Sequence, residues 1–136
     1  MSLKGIDHAA IPILNVDELL LFYEELGFRL NRDEAPNFYS AHLQDTKLNF
    51  HAPAAWQSGR FTLRGRTAIP GCGDFCLIWE GTQDQLQALL KKNEVPVVEG
   101  PVRRDGALEG GRSGISTYVR DPDGNLLEFI QYQCGL

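Results

Sequence analysis

The apolar and turn residues of this chain run through one order twice, and that repetition constrains the fold more than any single motif does. In the first pass, residues 6–13 read as a strand. Asn15 or Asp17 then caps a helix with Leu19, Leu20, Phe22, Tyr23 and Leu26 on its apolar face, and Gly27 ends it. Strands at 28–32, 38–43 and 47–51 follow, with Gln44-Asp45-Thr46 as a tight turn between the last two. The second pass has a strand at 74–79 and a helix opened by Thr82 with Leu86, Leu89 and Leu90 on its face. It closes with strands at 97–103, 115–120 and 126–132. The order β-α-β-β-β, twice, predicts an α+β fold with one helix packed on the outer face of each sheet.

At 136 residues the expectation is a single domain spanning 1–136, with module one at 4–52, a connection at 53–72 and module two at 73–134. The connection carries Trp56, Arg60, Arg64, Arg66 and Pro70, and irregular segments this long in small domains tend to serve function. A net charge of −5 argues against nucleic acid or an anionic membrane surface as partner. No apolar run reaches the ~20 residues a membrane span needs, and no signal core opens the chain. Three cysteines, Cys72, Cys76 and Cys134, cannot all pair with one another, which suits a reducing cytoplasm and packing thiols.

The stretch Leu126-Leu127-Glu128-Phe129-Ile130 sets an acid inside an apolar strand. An unpaired buried carboxylate is costly, so Glu128 should be paired, protonated or bound to a metal. Laying one half on the other matches "DHAAI" with "GDFCLI" and "DTKLNFH" with "DGNLLEF". His8 then falls against Asp74 and His51 against Glu128. Two imidazoles and two carboxylates balance a divalent cation and suit Fe(II), Mn(II), Ni(II), Zn(II) or Co(II) better than Mg(II) or Ca(II). An open position on such a metal would make it a Lewis acid for adjacent substrate oxygens. A salt bridge from Glu128 to an arginine such as Arg120 is the structural alternative.

The paired order, "DHAAI", "VDELLLFYEELGF" and "RDPDGNLLEFIQY" resemble the vicinal-oxygen-chelate superfamily across nearly the whole chain. That group includes glyoxalase I, extradiol dioxygenases, fosfomycin-modifying thiol transferases and bleomycin-binding proteins. "PGCGDFCLI" with "VVEGPVRRDGA" is most similar to a glyoxalase-domain subgroup. The resemblance implies two curved mixed sheets around a cup, with metal ligands from the first, fourth, fifth and eighth strands. By position these are His8, His51, Asp74 and Glu128. The fourth-strand His51 and fifth-strand Asp74 depart from the glyoxalase I pattern, which has Glu and His there.

The implied chemistry is a glyoxalase-like isomerase or lyase reaction in which Glu128 or Asp74 moves a proton. A thiol cosubstrate is compatible with the resemblance. Extradiol dioxygenase chemistry is the alternative within the enzymes, and a metal-free binding (resistance) protein is the alternative outside them. Arg103 and Arg112 are candidates for holding an anionic part of a small-molecule substrate, with Tyr118 lining the site. His42 has no counterpart in the repeat and reads as structural or exposed. A homodimer is the expected assembly.

Overall fold

The computed structural model describes residues 1–132, so Cys134 lies outside the described residues. The chain forms two compact units: residues 1–73 with Pro122–Gly124, and Asp74–Asp121 with the segment from Asn125 onward.

The first unit runs β1 (His8–Pro12), α1 (Val16–Glu25), β2 (Arg29–Asn31), β3 (Phe38–Leu43), β4 (Thr46–His51) and α2 (Pro53–Trp56). Its sheet order is β1-β4-β3-β2, with β1 and β4 parallel and the other neighbours antiparallel. Alternation along the strands sends Ile11, Leu48, Phe50 and Ala41 toward α1, whose buried residues are Leu19, Leu20 and Tyr23. The Tyr23 ring meets Phe50 at 5.2 Å and Phe28 at 5.3 Å. Burying each such side chain contributes about 1.5–3 kcal/mol.

The helix start differs from expectation. Asn15 occupies the N-cap, yet its side chain makes no capping bond. Its Nδ2 donates to Asp123 Oδ1 at 2.9 Å, and Asp123 also accepts the Leu14 N–H at 2.8 Å and the Asn15 N–H at 2.9 Å. Gly27, with φ +109°, supplies the left-handed residue that ends the helix. The connection holds the short α2, which the sequence reading missed. Pro53 at its start is preorganised for a first helical turn.

The second unit runs β5 (Asp74–Ile78), α3 (Gln83–Lys92), β6 (Glu99–Asp105), β7 (Ser113–Arg120) and β8 (Leu126–Gln131). Its sheet order is β5-β8-β7-β6, with β5 and β8 parallel. Thr82 and Gln85 form a reciprocal capping box at the start of α3, and Leu86 and Leu90 are its buried face. β6 lies later in the chain than expected because its ladder with β7 is bulged between Glu99 and Val102. The result is an α+β fold of two four-stranded mixed sheets. Among the described residues no helix is long and apolar enough to cross a membrane.

Candidate functional site

The two ladders can be laid over one another by their registers. His8 faces Lys47 across the first parallel pair, and Asp74 faces Leu126 across the second. With His8 on Asp74, Leu48 falls on Leu127 and Phe50 on Phe129, and all four are buried. The same overlay puts Asn49 on Glu128 and His51 on Ile130. Matching His51 with Glu128 therefore needs correction by two positions. Strand side chains repeat every two residues, so a slip of two leaves the inward-outward pattern unchanged and invisible to pattern matching.

In the second unit, the face of Glu128 carries Asp74 and Cys76 from β5 and Ser116 and Tyr118 from β7. Cys76 and Tyr118 flank Glu128 directly across the ladder. The buried Ser116 hydroxyl donates to Glu128 Oε2 at 2.5 Å. Burial pushes the Cys76 thiol up to about 12, helped by the charge of Glu128 and a hydrogen bond to it, although the residue as a whole is exposed. Burial also raises the Tyr118 phenol, and the Glu128 carboxylate adds to this against the pull of Arg104. Glu128 thus has hydroxyl and thiol partners and, among the described residues, no salt bridge to Arg120 or any other cation. Asp74 is exposed, on the same face and one strand repeat away.

The arginines fall differently from expectation. Arg103 faces Ile115 on the opposite side of the sheet and donates to Ser113 Oγ at 3.2 Å. Arg112 lies 3.7 Å from Glu109 and stacks over Tyr132 at 5.6 Å. It is Arg104, facing Gly114, that shares the side of Glu128. Its Nε donates to the Tyr118 hydroxyl at 3.2 Å, and its guanidinium sits 5.7 Å from the ring centroid. The adjacent arginines of "RRD" alternate faces, and the bulge in β6 decided which one faces Glu128.

In the first unit, His8 and His51 share the face away from α1 but stand at opposite ends of the β1–β4 pair, four residues apart and so roughly 13 Å along the strands. His8 is exposed, with Nδ1 2.6 Å from Asp7 Oδ1. His51 is only 8% exposed, and its buried Nδ1 has no hydrogen-bond partner among the described residues. Desolvation, then the charge of Arg64, holds its pKa below the ordinary range, so it is neutral near pH 7. Phe38 and Phe61 pack edge-on to its ring at 5.7 and 4.8 Å.

The same face holds a pocket of about 360 Å³ lined by His51, Asn49, Lys47, His42, Ser40 and Asn31, together with Glu34 and Phe38. His42, read from sequence as structural, belongs to this lining. Its recognisable signal is its spacing of two from Ser40, which places both on one face. Among the described residues, no three His, Cys, Asp or Glu side chains are gathered into a metal-holding group.

Two β-α-β-β-β units, each with a helix on one sheet face and ionisable groups on the other, define a paired-module α+β protein. The chain belongs to the Glyoxalase/Bleomycin resistance protein/Dioxygenase superfamily, whose sequence pattern matches residues 5–129. It is 31% identical over 134 residues to the glyoxalase domain-containing protein RDO1 of Mycosarcoma maydis, covering 98% of this chain and 71% of that one. It is likewise 31% identical over 136 residues to virulence protein STM3117 of Salmonella typhimurium, covering 97% of this chain and 87% of that protein. The crystal structure of STM3117 superimposes with a TM-score of 0.84 over 98% of this chain and 100% of the other. TnmS3, an antibiotic binding protein from Streptomyces sp. CB03234, is 22% identical with a TM-score of 0.70 over 98% of this chain and 99% of its own, a likeness of fold alone.

Proposed function

We propose that this chain is a divalent-metal-dependent enzyme acting on a small substrate with adjacent oxygens, by glyoxalase-like isomerase or lyase chemistry. The observation that carries this reading is Glu128: a half-buried acid in an apolar strand, served among the described residues by hydroxyl and thiol donors, on one face with Asp74 and Tyr118.

In this reading His8, His51 and Glu128, with Asp74 as a further donor, would hold a transition metal, since imidazole and carboxylate are the donors such a metal takes. Among the described residues no three of them are gathered. The fourth-strand position equivalent to Glu128 holds the neutral amide of Asn49, and His51 lies two positions further on. Fe, Mn, Ni, Zn and Co all accept such a mixed nitrogen and oxygen set. Bound there, the metal supplies Lewis-acid polarisation of the substrate's adjacent oxygens. Glu128 takes a proton from the hydroxyl-bearing carbon beside a substrate carbonyl and returns it to the carbonyl carbon, while the hydroxyl proton passes to the former carbonyl oxygen, so the isomerisation needs no external oxidant. Ser116 keeps the carboxylate oriented through its hydrogen bond, and Tyr118 offers a phenol beside it. The active assembly in this reading is a homodimer.

Elemental analysis of protein purified without chelator or metal-affinity resin, beside Glu128→Ala, tests this. Near-stoichiometric transition metal, lost in the variant while its circular dichroism is unchanged, is the expected result. A wild type that is metal-free and indifferent to added divalent cations would overturn it. Iron or manganese accompanied by catechol-dependent oxygen uptake would instead establish the dioxygenase alternative.

The pocket of the first unit favours one second reading, a metal-free binding protein. That reading expects tight ligand binding and no turnover.

A further inference from the structure

The face of the first sheet turned away from α1 is ordered in rows. Ladder pairing sets Arg29, His42, Lys47 and His8 side by side across the four strands. The next row on that face is Asn31, Ser40, Asn49 and Ala10, and the one beyond it is Phe38, His51 and Pro12. Successive rows lie about 6.6 Å apart. The face therefore grades from basic to amide and hydroxyl to aromatic within roughly 13 Å.

Phe61, reaching in from the connection, closes the aromatic end, at 5.1 Å from Phe38 and 4.8 Å from His51. At the basic end, Ser40 Oγ and His42 Nε2 are 2.8 Å apart. Asp7 is engaged with His8, while among the described residues no carboxylate lies within ion-pair distance of Lys47. Glu34, the acid in the lining, belongs to the turn whose carbonyl accepts the Phe38 N–H, so it stands at the aromatic end.

We propose that this pocket binds a small organic acid in one orientation, its anionic head on Lys47 and His42, its middle along Ser40, Asn49 and Asn31, and its apolar body against Phe38 and Phe61. Lys47 supplies the positive charge, and His42 and Asn49 supply directed hydrogen bonds, while the Asn31 amide is engaged with Asp33 and lines the middle. At the opposite end the lining acid Glu34 and the Arg64 charge that reaches His51 offset one another, so Lys47 with His42 sets the direction. The aromatic edges favour a flat or aromatic body. This deepens the reading above by naming the substrate class of the face that carries His8 and His51.

The test uses the full chain as purified, titrated with 4-phenylbutanoate and with its neutral analogue 4-phenylbutan-1-ol and followed by backbone amide NMR shifts. The acid should bind about tenfold more tightly than the alcohol, the scale of one charge-assisted hydrogen bond. The largest shifts should fall at 38–51. Lys47→Gln should abolish the preference, Lys47→Arg should retain it, and Phe38→Ala should weaken both ligands together.

Equal binding of acid and alcohol by folded wild type would overturn the proposal. So would a preference that survives Lys47→Gln but disappears in Glu128→Gln, which would put the head on a metal. Self-association that buries the face and leaves it unresponsive to either ligand would also overturn it, by making a second copy the occupant. A Lys47-dependent preference in protein that holds no metal would support the acid site while the metal reading fails, which keeps the two separable.

Discussion

The two modules bury the same stripe and differ on the face opposite their helices. Leu48 and Phe50 in the first correspond to Leu127 and Phe129 in the second, and every one of them is at most 8% exposed. Opposite the helix, the first module offers Lys47, Asn49 and His51 along its fourth strand, where the second offers Leu126, Glu128 and Ile130. The fourth strand is basic and amide-bearing and ends beside aromatic rings; the eighth is apolar apart from Glu128, which sits among hydroxyl and thiol partners. Packing against a helix allows few solutions, so the buried stripe repeats. Chemistry on the open face is not bound by that packing, and there the modules diverge.

The buried stripe gives the largest effect. Phe50→Ala and Phe129→Ala should each cost about 3–5 kcal/mol, measured by urea unfolding. If the register overlay is right, the two losses should be comparable. A loss well under half as large at one of them would break the equivalence.

The helix starts provide a smaller contrast. Thr82→Ala removes the hydroxyl that accepts the Gln85 N–H, leaving the Thr82 N–H bond to Gln85 in place, and should cost about 1 kcal/mol. Asn15→Ala breaks the side-chain ties to Asp123 and to the Pro122 carbonyl, while the Asp123 bonds to the Leu14 and Asn15 N–H groups remain, and should cost less. An equal cost at both positions would show that the Asp123 link anchors α1 as firmly as a side-chain cap does.

Acid sensitivity should be confined to one module, because all three histidines, His8, His42 and His51, lie in the first. Desolvation lowers both His42 and His51 from their ordinary 6.5, with Arg29 and Lys47 adding to the first and Arg64 to the second. Folded imidazoles that resist protonation leave the unfolded chain binding more protons. Their contribution is therefore complete above pH 6.5 and is lost as pH falls below it through the depressed folded values. Urea midpoints measured from pH 7.5 down to 5.5 should fall, and His51→Gln should flatten the slope. An unchanged slope in that variant would assign the acid sensitivity elsewhere.

Much of this was legible in the residues. The α+β order, the strand limits of β3, the face of α3 and the oddity of Glu128 all follow from periodicity, caps and the cost of a lone acid among apolar neighbours. Less legible was α2, because four residues carry almost no periodic signal. Arg104 was passed over for Arg103 because a bulge sets which of two adjacent side chains faces Glu128. His42 went unplaced because its neighbours, Lys47 and Arg29, come from other strands.

The sequence by itself determined the two-module order, the helices α1 and α3 and the buried stripe, since each rests on local propensity and a period legible along the chain. Only the tertiary structure decided that Asn49 rather than His51 stands opposite Glu128 in the repeat, and that basic, amide and aromatic rows share one sheet face. The physical reason is register. Sliding a strand by two residues keeps every side chain on its own face and preserves the pattern a reader sees, while the hydrogen-bonded ladder alone sets which side chains become neighbours.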